Sequence, residues 1–417
     1  MIEELFLEGF RSFKDRHGAQ LAPLTLIYGP NSSGKSSFVR SLLLLQQSVL
    51  QGNSPFPLMS GQLVDLGSAR TVAHQHRGFA CVDIGMSLGP VGWGGADQFV
   101  SIRFEWSADD PAKDKLSIKF RSVDGDPTLT FERCGRNLDR LVLARESLAL
   151  FDSLRSVLSN AGSTPMFPVQ TGRLPVFSVD AMLPLHVVGE LEGDEIRSLD
   201  VRVPSDVNAF WSTVSMNLCR SFRSELESVS YLGPLRRPWD RHVSITSEAM
   251  TRGVGSSGQQ TLQLLAQRPE ILARVNNALK TVLESPYELK VQMHTLSGPP
   301  IAEPILEHGE SGVTVSPVDA GFGLSQLLPI VVEMFVRDNA LVCIEQPELH
   351  LHPRLQARVG QLLRNAVKGS NGNRFIIETH SEHLLLRVRR LVREGLMQQS
   401  EVKILYVDNL EYDAETD

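Results

Sequence analysis

The sequence is poor in cysteine, in positive charge and in long apolar runs, and each shortage removes a class of protein. Four cysteines occur in 417 residues, Cys81, Cys134, Cys219 and Cys343, far apart and without paired spacing. Neither a disulfide framework nor a zinc site is suggested, and the thiols are expected to be buried or idle. No apolar stretch approaches the roughly 18 to 20 residues that a bilayer-spanning helix needs. The opening MIEELFLEG is acidic where a signal peptide would be basic. A cytoplasmic protein without a membrane partner is the expectation. Lys and Arg number 41 against 48 Asp and Glu, for a formal charge of -7. That balance argues against a general polyanion binder and leaves only a local basic patch for nucleic acid. Internal repeats and low-complexity tracts are also missing. What is present is a 42% share of hydrophobic residues, enough for a globular protein with a real core.

The apolar patterning predicts an α/β protein. Residues 2–10 and 24–28 read as strands, the second bounded by Pro23 and Gly29, and residues 36–50 carry Leu, Val and Gln without Gly or Pro, as a helix packed on a sheet would. From 79 to 143 short alternating runs such as 99–106 and 116–120 are cut by Gly- and Asp-rich turns, which predicts an antiparallel sheet. Residues 137–158 have helical spacing, the stretch to Leu199 is rich in Pro and Gly, and residues 206–228 are helical again; together they read as an inserted helical lobe. The final third, 262–407, alternates helical segments with the apolar strands 341–344, 375–377 and 402–407, the pattern of a parallel sheet with crossover helices. The expected divisions are 1–140, 141–228 and 229–417.

Between the second strand and the first helix lies Gly29, Pro30, Asn31, Ser32, Ser33, Gly34, Lys35, Ser36, Ser37. This is the Walker A pattern, in which small residues let backbone N–H groups wrap phosphates at a helix N-terminus. ATP and Mg²⁺ are the expected ligands. Lys35 is expected to reach the β and γ phosphates, Ser36 to put its hydroxyl on Mg²⁺, and Gly34 to permit the close turn. A glycine-rich turn before an ordinary helix is the bland alternative, but the strand before and the helix after are what the chemistry requires.

Four stretches, LEGFRSFKD, LTLIYGPNSSGKSS, LVCIEQPELHLHP and FIIETHSEHLL, in that order and spacing, resemble the ABC-type ATPase heads of the RecF and chromosome-maintenance branch. YLGPLRRPW, GFGLSQLLP and EQPELHLHP are similar to bacterial AAA-type ATPases related to the overcoming-lysogenization-defect proteins, several of which serve in anti-phage defence. The resemblance implies an ABC-type head with a mixed or parallel central sheet, an antiparallel β subdomain and a helical insertion. It also implies a homodimer in which two heads close on two nucleotides, each P-loop completed by the partner's signature segment.

On that resemblance the strand 341–344 ends in the Walker B acid Glu345, which would hold the Mg²⁺ shell across from Ser36. Where the family offers a glutamate as general base this sequence has Gln346, and an amide cannot take a proton from water. Gln346 is therefore expected to position water, with slow hydrolysis, unless Glu348 substitutes as the base. His380 matches the switch histidine at the γ-phosphate. His350, His352 and His383 are close by in sequence, but the strand-end placement favours nucleotide sensing over a metal site. In GFGLSQ, Gly323 and Ser325 stand for the signature segment, a helix-capping glycine turn being the alternative. Gln62 and Gln75 are both candidates for the metal-touching Q-loop. Arg11 and Ser12 fall near the base or phosphates by resemblance, with a surface charge the alternative for Arg11.

Two basic clusters could meet a phosphate backbone: Arg387, Arg389, Arg390 and Arg393, and Arg236, Arg237, Arg241 and His242 around Trp239. A solvated helix face paired with Glu394 is the alternative for the first, and a structural link to the sheet for the second. The insert is too short for a long coiled-coil arm. After Val407 the acidic stretch NLEYDAETD shows no nuclease motif, so any destructive activity is expected from a partner protein, a nuclease or toxin, or from a further part of the gene product. Three functions follow: an ATP-driven dimerising switch in phage defence or genome maintenance, a non-catalytic ATP-holding scaffold, and a RecF-like repair ATPase that binds DNA directly.

Overall fold

The computed structural model describes residues 1–52, 56–76, 79–89, 98–107, 114–122, 125–133, 140–143, 174–180, 182–192, 195–198, 205–245, 252–295, 299–320, 322–369 and 371–408. The first half of the chain runs β1 (Ile2–Glu8), β2 (His17–Gln20), β3 (Leu24–Tyr28), α1 (Lys35–Leu50), α2 (Ala69–Val72), β4 (Phe79–Leu88), β5 (Gln98–Ser107), β6 (Lys115–Ser122), β7 (Gly125–Arg133), β8 (Arg140–Leu143), β9 (Leu174–Asp180), β10 (Leu183–Glu192), β11 (Glu195–Ser198) and α3 (Ser205–Ser228). It continues with β12 (Val229–Leu232), β13 (Val243–Ser244), α4 (Thr261–Gln267), α5 (Pro269–Thr281), β14 (Tyr287–His294), β15 (Ile301–His308), β16 (Thr314–Val315), α6 (Phe322–Val336), β17 (Leu341–Glu345), α7 (Pro353–Lys368), β18 (Arg374–Glu378), α8 (Glu382–Arg393) and β19 (Val402–Tyr406).

The chain divides into two units, one made of Leu21–Ser36 with Ser228–Asn409 and the other of Met1–Gln20 with Ser37–Glu227. The first is built on a sheet in the order β12-β17-β18-β3-β19, parallel at every pairing. A parallel sheet is covered on both faces, so its strands need unbroken apolar runs, and LTLI, LVCI and FII supply them: Leu24, Leu26, Val342, Ile344, Phe375 and Ile377 are all fully buried. Helix α6 is apolar around most of its circumference, and Leu328, Ile330, Val331 and Val332 are also fully buried. Burying one such side chain contributes about 1.5–3 kcal/mol. Helix α8 buries only the stripe Leu384, Val388 and Leu391, the i, i+4, i+7 spacing of a helix with one wet face. A small antiparallel sheet, β13-β15-β14 with β16 on β15, completes this unit.

The other unit carries a ten-stranded antiparallel sheet in the order β11-β10-β9-β8-β7-β6-β5-β4-β1-β2. Val82, Ile84, Met86 and Leu88 on β4, and Val100, Ile102, Phe104 and Trp106 on β5, alternate into a core with period two, as the sequence pattern predicts for this region. The predicted helical lobe needs correction. Residues 140–143 are strand β8, and 174–198 contain three strands that extend the same sheet; helix is described only in α3. Pro175, Pro184 and Gly189 made this stretch read as loop, yet β9 and β10 accept them through register shifts around Val187, where bulges relieve the ladder. The rest of the expected helix over 137–158 lies outside the described residues. The boundary expected at 140 is likewise not where this chain divides: the P-loop strand β3 pairs with β18 and β19, which assigns residues 21–36 to the C-terminal unit. Among the described residues no helix is long and apolar enough to cross a membrane.

Candidate nucleotide-binding site

The loop from Gly29 to Ser36 leaves the C-terminal end of β3 and runs straight into α1, which begins at Lys35. Its backbone demands the small residues it has. A Cβ on Gly29 would lie 2.0 Å from the Val407 carbonyl oxygen, and Gly34 has φ +100°, where side chains are strained. Asn31 and Ser32 are exposed at the tip, while Ser33, Lys35 and Ser37 are buried. The Ser33 hydroxyl oxygen is buried without a partner. The Lys35 ammonium donates to the Pro30 carbonyl; burial lowers its pKa, and the neighbouring Glu378 carboxylate opposes that shift. An unpaired hydroxyl and a buried ammonium beside a helix N-terminus fit a phosphate chain.

Two strand ends bring carboxylates to the same edge. β17 and β18 are parallel neighbours with Glu345 opposite Glu378, and the two side chains are 4% and 3% exposed. In-register residues of a parallel pair point to the same face, about 4.8 Å apart. The Ser36 hydroxyl donates to Glu378 Oε1 at 2.9 Å. Sequence reasoning paired Ser36 with Glu345 and passed over Glu378, although FIIE repeats the apolar-run-then-acid pattern of LVCIE. Ser36, Glu345 and Glu378 offer hard oxygen donors, the chemistry that Mg²⁺ selects. Cys343 lies fully buried in β17, and burial together with Glu345 pushes its thiol pKa up, so it is inert.

Past Glu345 the chain turns sharply. Gln346 has φ +45°, a conformation that costs a side-chain-bearing residue of order 1–3 kcal/mol and is kept only where its surroundings hold it. They do: the Gln346 N–H donates to the Glu378 carbonyl at 2.7 Å, and its own carbonyl accepts from Arg236 at 3.3 Å. Arg236 also donates to the Glu345 carbonyl at 2.6 Å, and the Gln326 amide in α6 donates to the Arg236 carbonyl at 3.1 Å. Burial lowers the Arg236 pKa to about 10, against the opposing pull of Glu348, Tyr231 and Glu345, so it remains charged at neutral pH. The guanidinium that sequence reasoning grouped with a DNA-facing cluster is thus 4% exposed and braces the acidic turn. Its neighbours are exposed, Arg237 beside Asp240 and Arg241 in a two-bond pair with Asp319.

Glu348, considered as a substitute base, accepts a hydrogen bond on each carboxylate oxygen. Its Oε1 accepts the His380 N–H at 2.6 Å and its Oε2 the Thr379 hydroxyl at 2.8 Å. His380 lies two residues past the end of β18 and is half-buried. His352 caps α7, its Nδ1 accepting from the Arg354 N–H at 3.3 Å, and His350 and His383 are exposed. Among the described residues no group of three or more His, Cys, Asp or Glu side chains could hold a metal.

The remaining candidates are dispersed. Ser325 is 4% exposed in the first turn of α6, and a Cβ on Gly323 would lie 3.3 Å from the His350 carbonyl oxygen; as folded here, Ser325 is enclosed by its own chain and not displayed. Arg11 belongs to the other unit, where its N–H donates to the Val72 carbonyl and its carbonyl meets His74 Nδ1, each at 2.7 Å. Burial and the nearby Arg40 lower its pKa. Ser12, Gln62 and Gln75 are in that unit too, both glutamines exposed. On α8, Arg389 and Arg393 are exposed, Arg387 donates to Gln361, and Arg390 pairs with Glu394.

A strand–loop–helix with a buried lysine, facing acidic ends of neighbouring parallel strands, has the form of a P-loop ATPase site. One family model agrees in class: a model described as AAA domain, putative AbiEii toxin, Type IV TA system matches residues 256–387, less than half of the chain but including Gly323, Glu345 and His380. No curated protein is similar enough to count as a match. Among solved structures, the chain is similar to the SMC head domain from Thermotoga maritima, with 10% identity over 93% of this chain and 91% of that one and a TM-score of 0.37. It is also similar to the SmcHead bound to the C-winged helix domain of ScpA, with 14% identity, the same coverages and a TM-score of 0.40. A third is the Smc head domain with an extended coiled coil bound to the C-terminal domain of ScpA derived from Pyrococcus furiosus, with 12% identity, again 93% and 91%, and a TM-score of 0.40.

Proposed function

We propose that this chain binds ATP with Mg²⁺ at Gly29 to Ser37, hydrolyses it slowly, and uses nucleotide state as a switch, dimerising head to head and controlling a partner effector. The observation that carries the reading is the convergence, in one unit, of the P-loop after β3, the acid Glu345 ending β17 and His380 following β18. In this reading the loop amides and Lys35 cradle the phosphates, Ser36 and Glu345 hold the metal, and His380 donates to the γ-phosphate. Bound Mg²⁺ would neutralise charge on the β and γ oxygens. Slow turnover is supported by Gln346, whose amide can orient water but not take its proton, and by Glu348, whose two oxygens each hold a group of the turn leading to His380. The matched family's description as a putative toxin of a Type IV TA system supports placing the switch beside a destructive effector, in phage defence or DNA maintenance.

Turnover tests the reading. Phosphate release should be measurable but slow, lost in Lys35→Ala, and accompanied by an ATP-dependent rise in mass by light scattering. Gln346 itself favours a second reading, a scaffold that holds ATP without consuming it. Phosphate release at background, with ATP still bound, would decide for the scaffold.

A further inference from the structure

We propose that Glu378 is a second carboxylate of the metal shell, acting beside Glu345 on the bound divalent cation directly or through its water. The proposal rests on the ATP-binding reading and deepens it. Glu378 is the residue that meets Ser36, the hydroxyl placed on the metal, at 2.9 Å, and the strand register sets its side chain beside that of Glu345 on the same face.

Charge makes the same point. Three buried carboxylates, Glu345, Glu348 and Glu378, share this site with two buried cations, Lys35 and Arg236. Arg236 is committed to the carbonyls of Glu345 and Gln346, and Glu348 to Thr379 and His380. Lys35, which feels the Glu378 carboxylate, is the cation a phosphate chain would claim. When Lys35 turns to phosphate and the Ser36 hydroxyl to metal, Glu378 stays buried beside Glu345, its in-register neighbour. Two buried carboxylates set side by side at the phosphate loop are hard oxygen donors of the kind a divalent cation takes. The same carboxylate fixes the direction of the Ser36 hydroxyl through its hydrogen bond.

The test is the affinity of Mn²⁺ for the protein in complex with a non-hydrolysable ATP analogue, read by electron paramagnetic resonance, beside analogue affinity in EDTA. Glu378→Gln should weaken Mn²⁺ by about 10- to 100-fold, the range for losing a partner around a metal. Metal-free analogue binding should hold or tighten, because a negative charge has left the phosphate site. The weakening of Mn²⁺ should persist on a Ser36→Ala background. Mn²⁺ affinity within twofold of wild type, or a weakening that vanishes in Ser36→Ala, overturns the proposal and leaves ATP binding standing. Wild-type protein that fails to bind the analogue overturns both. Should Glu378→Gln fail to fold by circular dichroism, Glu378→Asp is read instead: weakened Mn²⁺ supports the role, and wild-type affinity overturns it.

Discussion

The Glu348 carboxylate accepts the backbone N–H of His380 at 2.6 Å, and its other oxygen holds the Thr379 hydroxyl at 2.8 Å. The turn after the acidic strand β17 and the turn after β18 are thereby tied by a side chain that is 8% exposed. Both carboxylate oxygens already accept a hydrogen bond from the turn after β18, and under the proposed function Glu348 serves as a positioning residue for His380. Glu348→Ala leaves a hydroxyl and an N–H without an acceptor, at about 1–3 kcal/mol each. Denaturant unfolding should show that destabilisation, and kcat should fall while ATP affinity changes little. A Glu348→Ala protein of full stability with no turnover would instead mark Glu348 as the base.

Gln346 offers the complementary experiment. Its unusual φ is held by backbone bonds to Glu378 and Arg236, so exchanging its side chain leaves the turn in place. Gln346→Glu should raise kcat, because general-base help is worth about 10²–10⁴-fold. Gln346→Ala should lower kcat below wild type by removing the group that orients water. Steady-state phosphate release at saturating ATP reads both, and a Gln346→Ala rate equal to wild type would remove Gln346 from the mechanism.

The phosphate loop predicts weakened binding in two independent ways. Lys35→Ala removes the buried ammonium, and a hydrogen bond to a charged group is worth about 1.5–3 kcal/mol, so the Kd for ATP should rise at least about tenfold. Gly29→Ala acts through shape, since its Cβ would collide with the Val407 carbonyl at 2.0 Å. Fluorescent-nucleotide titration should show weak binding in both, with only Gly29→Ala also losing thermal stability.

What the sequence made legible is what lies close along the chain: the glycines, lysine and serine of the loop, and the apolar runs that end in Glu345 and lead into His380. Their small-residue turns and unbroken apolar runs are local signals. Pairings set by strand order and register were hidden. Glu378 meets Ser36 across 342 positions because β18 lies between β17 and β3, and nothing in FIIETH alone says so. Arg236 sits in a run of arginines and tryptophan that reads as a basic patch, and only its burial turns it into a brace. Strands β9 and β10 were hidden by Pro175 and Pro184, which a ladder with register shifts accommodates.

Arg236 separates a structural arginine from a surface one. Its guanidinium serves the carbonyls of Glu345 and Gln346 and faces Glu348. Arg236→Met would leave those groups buried without their cation, and breaking such a buried arrangement costs about 3–5 kcal/mol. Denaturant unfolding should register that cost, and turnover should drop because Gln346 is no longer held. Arg389 and Arg393 are exposed on the wet face of α8, where reversal of charge should leave stability nearly unchanged. If the chain binds DNA directly, Arg389→Glu and Arg393→Glu should weaken that binding, and each should lower the salt slope by about one for the phosphate its arginine no longer neutralises. DNA affinity at several salt concentrations, unmoved by both substitutions, would turn the α8 arginines into an ordinary solvated face and leave the partner effector as the target of the switch.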